Sequence, residues 1–175
     1  MKTRKMSVSI LLYVCFLITA CVPAVKAGSL TVIDDEWSRS KKNVELSTGI
    51  NMRYVESGPA NGEPLILLHG MNDSSRSWSL MLPYMGNKYH IFALDLRGHG
   101  DTDKAVSGYA PEDMAGDVIA FMDALKIEKA SVVGHSMGSY IAQYLVIDRP
   151  DRINKVILIG TFALGSSDAS TDNPE

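Results

Sequence analysis

Residues 130–139 read Ala130-Ser131-Val132-Val133-Gly134-His135-Ser136-Met137-Gly138-Ser139, and this stretch decides the fold. A short apolar run enters a Gly-x-Ser-x-Gly turn, and an amphipathic segment reaching Ile147 leaves it. Strand, sharp turn and helix in that order is the setting in which a serine hydroxyl is pushed out of the chain as a nucleophile. A serine at such a turn holds a strained backbone conformation. The residues two before and two after it are drawn together, so any Cβ there would collide. Gly134 and Gly138 meet that demand. A chance Gly-x-Ser-x-Gly in a loop lacks the flanking strand and helix.

Outward from this turn, strand-like and helix-like segments alternate. Val44–Thr48 and Ile50–Glu56 read as short strands joined at Gly49, and Gly58 to Gly62 as a turn. Leu65–Leu68, Tyr89–Leu94, Ser131–Val133 and Val156–Ile159 read as strands, the first of them apolar throughout, as burial on both faces requires. A helix is expected over Arg76–Met85, cut short by Pro83. A second is expected over Pro111–Lys126, with Met114, Val118, Phe121, Met122 and Leu125 on one face and Pro111 in the first turn. A third is expected over Met137–Ile147. This alternation predicts an α/β fold, a mostly parallel sheet flanked by helices. In such sheets, functional groups gather beyond the carboxyl ends of the strands. His69-Gly70 follows one strand, Asp95-Leu96-Arg97-Gly98-His99-Gly100 the next, and Ser136 the third.

Taken in order, His69-Gly70, Asp95-x-Arg97-Gly98-x-Gly100 and Gly134-x-Ser136-x-Gly138 resemble the α/β-hydrolase family, over roughly residues 44–163. The likeness points to the serine-nucleophile branch, among small esterases, perhydrolases and related C–O or C–C bond hydrolases. A serine at the elbow counts against the branches that use aspartate there, such as dehalogenases and epoxide hydrolases. The resemblance implies Ser136 as nucleophile and an acyl-enzyme from an ester or similar acyl bond. It implies the backbone N–H groups of Met137 and Met71 as the oxyanion hole, with Met137 opening a helix whose free N–H groups favour negative charge. Losing one such donor typically costs on the order of 10²–10³ in rate. Near the site, His69, Gly70, Gly134 and Gly138 take structural roles. His99 is expected to bond locally, His135 to point away from the nucleophile, His90 to be unremarkable, and Asp95 and Arg97 to pair with backbone or with each other.

The sequence departs from the family where the base should be. All four histidines precede Ser136, whereas the resemblance places the base, held by an acid, after the nucleophile in the order Ser, Asp/Glu, His. Triad acid and base are therefore unknown, and Asp168, in a polar stretch, would be poorly fixed as the acid. The expectation is a domain truncated after about the sixth strand, because a hydrolase of this type needs roughly 200–250 residues. Three readings follow: the N-terminal part of a serine hydrolase, a non-catalytic exported binding module or lipoprotein that keeps half the sheet, or an enzyme with a makeshift base such as His69.

Composition narrows the partners. Of 175 residues, 46% are hydrophobic and 21% charged, which suits a globular protein. Residues 1–27 contain Lys2, Arg4, Lys5 and Lys26 and no acid, so the remainder carries 13 basic and 20 acidic side chains, a net of −7. So acidic a body, whose only basic pair is Lys41-Lys42, argues against nucleic-acid binding. The partner expected is a small ester-like molecule. No metal constellation and no dinucleotide loop occurs in the sequence, so no cofactor is implied.

Basic residues, then an apolar stretch over Val8–Val22, then Ala27 as a small-residue cleavage position read as an export signal over residues 1–27. Ile18-Thr19-Ala20-Cys21 also resembles a bacterial lipoprotein signal, with cleavage before a lipidated Cys21 that would attach the protein to a membrane. Either cleavage predicts an exported protein, periplasmic or secreted. The only cysteines, Cys15 and Cys21, lie inside this segment, so no thiol is left for a disulfide or a nucleophile beyond it. Residues 28–43 read as a linker or extension, 44–163 as the incomplete hydrolase domain, and 164–175 as a polar tail.

Overall fold

The computed structural model describes residues 36–85, 87–161 and 163–164. The signal segment, Cys21 and Asp168 lie outside the described residues. Six strands form one sheet: β1 (Lys42–Glu45), β2 (Asn51–Ser57), β3 (Glu63–Leu68), β4 (Tyr89–Leu94), β5 (Ala130–His135) and β6 (Ile153–Ile159). Two α-helices accompany them, α1 (Pro111–Ala124) and α2 (Met137–Asp148). The strand order is β1-β2-β4-β3-β5-β6. The β1/β2 and β2/β4 pairs are antiparallel, and β4/β3, β3/β5 and β5/β6 are parallel.

Side chains of the central strands alternate between two apolar layers. On β3, Ile66 and Leu68 join the larger cluster with Phe92, Leu94 and Val132, and this cluster is completed by Met114, Val118, Phe121 and Met122 of α1 and Ile141 and Leu145 of α2. Leu65 and Leu67 point the other way, into a smaller cluster with Val55, Ile91, Val133, Trp37 and Trp78. A strand buried on both faces needs the unbroken apolar run that β3 has. Phe121 anchors the larger layer edge-on to Tyr54, with ring centroids 5.0 Å apart. Pro111 opens α1, where its missing N–H has no intrahelical acceptor to lose, and Glu112 and Asp113 complement the positive helix end.

The structure corrects one helix. In place of a helix over Arg76–Met85 there are two 3₁₀ turns, Ser75–Trp78 and Leu82–Tyr84. The first is capped by Ser74, whose hydroxyl accepts from the Arg76 N–H, and Pro83 sits in the first turn of the second. Pro83 has no N–H to continue an earlier helix and its ring would clash with the preceding turn. Strand β6 also starts earlier than its apolar residues suggest, taking in Asn154 and Lys155. Residues 36–40 are helical, with Trp37 buried, so part of the stretch expected as an extension is packed on the sheet.

The topology places a crevice. The connection from β3 leads to β4 on one side, while the connection from β5 leads to β6 on the other. Adjacent parallel strands whose connections diverge leave an opening at their carboxyl ends. Gly70 lies just beyond β3 and Ser136 just beyond β5.

Candidate active site

Ser136 bridges β5 and α2 with φ 48° and ψ −115°, one of three described non-glycine residues at positive φ. That conformation is costly for a residue with a Cβ and persists only where the surroundings impose it. The imposing contacts are visible. The Ser136 N–H donates to the Ile159 carbonyl of β6 at 2.9 Å, and the Ser139 N–H closes the turn on the Ser136 carbonyl at 2.8 Å. The Gly138 N–H donates to the His69 carbonyl at 3.1 Å, which ties the elbow to the end of β3. A Cβ on Gly134 would overlap the Gly138 carbonyl, and one on Gly138 would overlap the Leu68 carbonyl. Both obstacles are backbone, so neither can move aside.

The loop after β3 lies directly against the nucleophile position. A Cβ on Gly70 would stand 3.4 Å from the Ser136 Cβ and 3.0 Å from Nδ1 of His135. Among the described residues, the Ser136 Oγ has no hydrogen-bond partner, and neither do the N–H groups of Met71 and Met137. Met137 is the first residue of α2, so its N–H has no carbonyl one turn earlier to bond. Its side chain packs against the larger core, whereas that of Met71 is exposed.

His69 is fully buried, and its two nitrogens are both engaged. A backbone N–H can only donate, so Leu96 N–H at 3.0 Å fixes Nε2 as an acceptor. The proton therefore sits on Nδ1, which donates to the Gly70 carbonyl at 2.7 Å. Burial holds the ring below the ordinary histidine pKa, opposed by the Gly70 bond. A neutral imidazole so occupied organises the loop and has no lone pair to take a proton from Ser136. His99 stacks beside it, centroids 5.1 Å apart, with Nδ1 donating to the Arg97 carbonyl at 2.9 Å. His135 is exposed.

Asp95 and Arg97 do not pair with each other. Asp95 is completely buried and accepts from the N–H groups of Ser75 at 2.8 Å and Asp101 at 2.9 Å, and from the Lys41 ammonium at 2.7 Å. Burial alone would raise its pKa, but the Asp101 N–H, the Lys41 ammonium and Ser75 together hold it below the usual carboxylate range. Arg97 forms a two-pronged pair with Asp117 of α1, Nε and Nη2 each 2.7 Å from a carboxylate oxygen, and Thr48 donates to the same Asp117 at 2.6 Å. Trp37 donates to the Ser75 hydroxyl at 3.2 Å.

Lys41, Trp37, Ser75 and Asp117 are supports that the sequence reading missed. Lys41 and Trp37 fall in a polar stretch without periodicity; the Lys41-Lys42 pair reads as solvated surface, yet Lys41 is largely covered and bonded to buried Asp95. Asp117 did carry one: it lies three residues after Met114 and one before Val118, on the buried stripe of α1, and a buried acid demands a partner. No cluster of three or more His, Cys, Asp or Glu side chains suited to a metal ion occurs among the described residues.

Known proteins match this arrangement. The family model for the alpha/beta hydrolase fold matches residues 63–174. A soluble epoxide hydrolase of Corynebacterium sp. (strain C12) is 34% identical over 114 residues, 65% of this chain and 39% of that protein. The 3-oxoadipate enol-lactonase 2 of Acinetobacter baylyi is 32% identical over 122 residues, 70% of this chain and 46% of that protein. The solved structure of Est816, an N-acyl homoserine lactone degrading enzyme, superposes with a TM-score of 0.61 at 34% identity, covering 67% of this chain and 44% of that one. The chain thus spans less than half the length of these relatives.

Proposed function

The chain belongs to the alpha/beta hydrolase fold family, and on that footing we propose that its site is built for acyl transfer from an ester or lactone, with Ser136 as nucleophile. Ser136 Oγ attacks the carbonyl carbon and passes its proton to a base. The oxygen that becomes negative is held by the N–H groups of Met137 and Met71. The alcohol then leaves, and water releases the acid from the acyl-serine. The observation that carries this reading is the strained Ser136, whose Oγ and the nearby N–H groups of Met137 and Met71 have no partner among the described residues. Serine rather than aspartate at the elbow favours acyl chemistry over the epoxide opening named for one relative.

Base and acid stay unassigned: no histidine follows Ser136 in this sequence, and His69 has no free nitrogen. A second reading is an exported, non-catalytic binding module. A fluorophosphonate probe separates the two. Covalent addition to Ser136 of the 175-residue chain, absent in Ser136→Ala, supports the nucleophile. An intact mass after prolonged exposure refutes it and leaves the module. We further propose export, with lipidated Cys21 as anchor. Radiolabelled palmitate incorporation that persists in Cys21→Ser refutes the lipid.

A further inference from the structure

At the amino ends of the parallel strands, away from Ser136, lies a cavity of about 670 Å³. It opens where α1 ends at Ala124 and the sheet face continues beyond the helix. Its walls are Pro64 of β3, Phe92 of β4 and Leu125 after α1, and its rim carries Lys126, Glu128 and Lys129, a net of one positive charge. His90 forms part of the lining. Its Nε2 lies 2.6 Å from Oε1 of Glu56, and the other oxygen of Glu56 takes the Lys42 ammonium at 2.7 Å. The bond to Lys42, aided by that to His90, holds the Glu56 carboxyl below its ordinary pKa, so the ionised carboxylate accepts and Nε2 carries a proton. The nitrogen left for a ligand is Nδ1, which has no partner among the described residues. The ring is steadied by Phe92, centroids 4.4 Å apart. Neither the nucleophile nor its loops use this dyad.

We propose that this cavity is a second binding site, for a small organic acid with an aromatic or aliphatic body. The volume is that of a small-molecule site. Pro64, Phe92 and Leu125 offer apolar contact to the body of such a ligand. A ligand carboxylate accepts from Nδ1 when that nitrogen carries a proton. The positive rim adds attraction for the anion. This site is independent of the role proposed for Ser136, and its test involves no catalysis.

Benzoate is the probe, with benzamide as its uncharged counterpart of equal shape. In the full 175-residue chain labelled at histidine, with His90 assigned by His90→Gln, benzoate shifts the His90 ring resonances saturably, with a Kd of about 1 mM or tighter. Benzamide, which lacks the charge, binds several-fold more weakly, and Lys129→Ala weakens benzoate roughly threefold, the effect of one solvent-exposed charge. The site is refuted if the shifts grow linearly without saturation, if benzamide matches benzoate, or if a folded His90→Gln chain binds benzoate as tightly as the parent. Should His90→Gln fail to fold, the His90 ring is assigned through its backbone resonances, and the benzoate and benzamide titrations of the parent chain decide.

Discussion

Replacing Lys41 with Met tests whether the segment before β1 holds the active-site loops. Met keeps the apolar stem and removes the charge. The Lys41 side chain is 9% exposed and that of its partner Asp95 is 0% exposed, so the carboxylate end of the pair is shut off from solvent. Removing one member of a buried pair typically costs about 3–5 kcal/mol, because the other charge stays unpaired. Here Asp95 keeps its bonds from the Ser75 and Asp101 N–H groups, which lowers the expectation to about 3 kcal/mol. In a domain of this size, that corresponds to a fall in Tm of roughly 6–12 °C. The chain's two tryptophans, Trp37 and Trp78, are both buried in the smaller core layer beside this network, so their fluorescence reports urea unfolding directly. The pH dependence carries a sign. Asp95 has a depressed folded pKa, so its contribution is present above the unfolded carboxylate value of about 4 and is lost as pH falls through the folded value. Lys41 loses some proton affinity to burial, but its bonds to Asp101 and Asp95 more than restore it, so its contribution is present below about pH 10 and is lost above its folded value. The gap between parent and Lys41→Met is therefore flat between these limits and closes in acid. A gap at pH 7 below about 1 kcal/mol, as for a surface ion pair, would refute the reasoning.

Three further outcomes follow from the same geometry. Gly134→Ala drives a methyl group into the Gly138 carbonyl, and the chain is expected to lose about 3 kcal/mol or more, or not to fold, as read by far-UV circular dichroism during urea unfolding. Arg97→Lys keeps the charge but loses the two-pronged geometry on buried Asp117, which costs about 2 kcal/mol in the same assay; an unchanged midpoint would show the fork to be unimportant. Ser136→Gly relieves the positive φ and is expected to stabilise the chain by about 1 kcal/mol while abolishing probe labelling. A less stable Ser136→Gly chain would mean that the elbow is not strained.

The sequence made the centre of this fold legible, and its edges much less so. Strands β3, β4 and β5 declare themselves through apolar runs, because burial on both faces leaves no room for polar residues. Strand β6 declares only its second half, Val156–Ile159, because Asn154 and Lys155 break the apolar pattern before it. The strand order, with β3 between β4 and β5, depends on pairings between distant segments and has no local signature. Yet that order brings Gly70 to Ser136. The motifs themselves were local and so were readable, although only the collision at Gly134 lies within the turn; the one at Gly138 is with Leu68 at the end of β3. Asp95 and Arg97 were visible as polar residues needing partners, but their partners came from Lys41 and Asp117, 54 and 20 residues away.

That difference bears on how the site works. The elbow at Ser136 is shaped by its own turn together with Ile159 and the end of β3, whereas the loop that carries Met71 is held by more distant residues. The His69 ring fastens that loop to Leu96, and Asp95 fastens Ser75 of the same connection, with Lys41 closing the charge. An oxyanion donor is useful only if it needs no reorganisation when charge develops, so its rigidity is part of the chemistry. Residues 36–41, which carry no catalytic group, thereby bear on the geometry at Ser136 through two fixed contacts, Trp37 to Ser75 and Lys41 to Asp95. If the loop is fastened this way, Lys41→Met should slow the labelling of Ser136 by more than its stability loss accounts for, since a loosened Met71 N–H weakens the transition state without unfolding the chain.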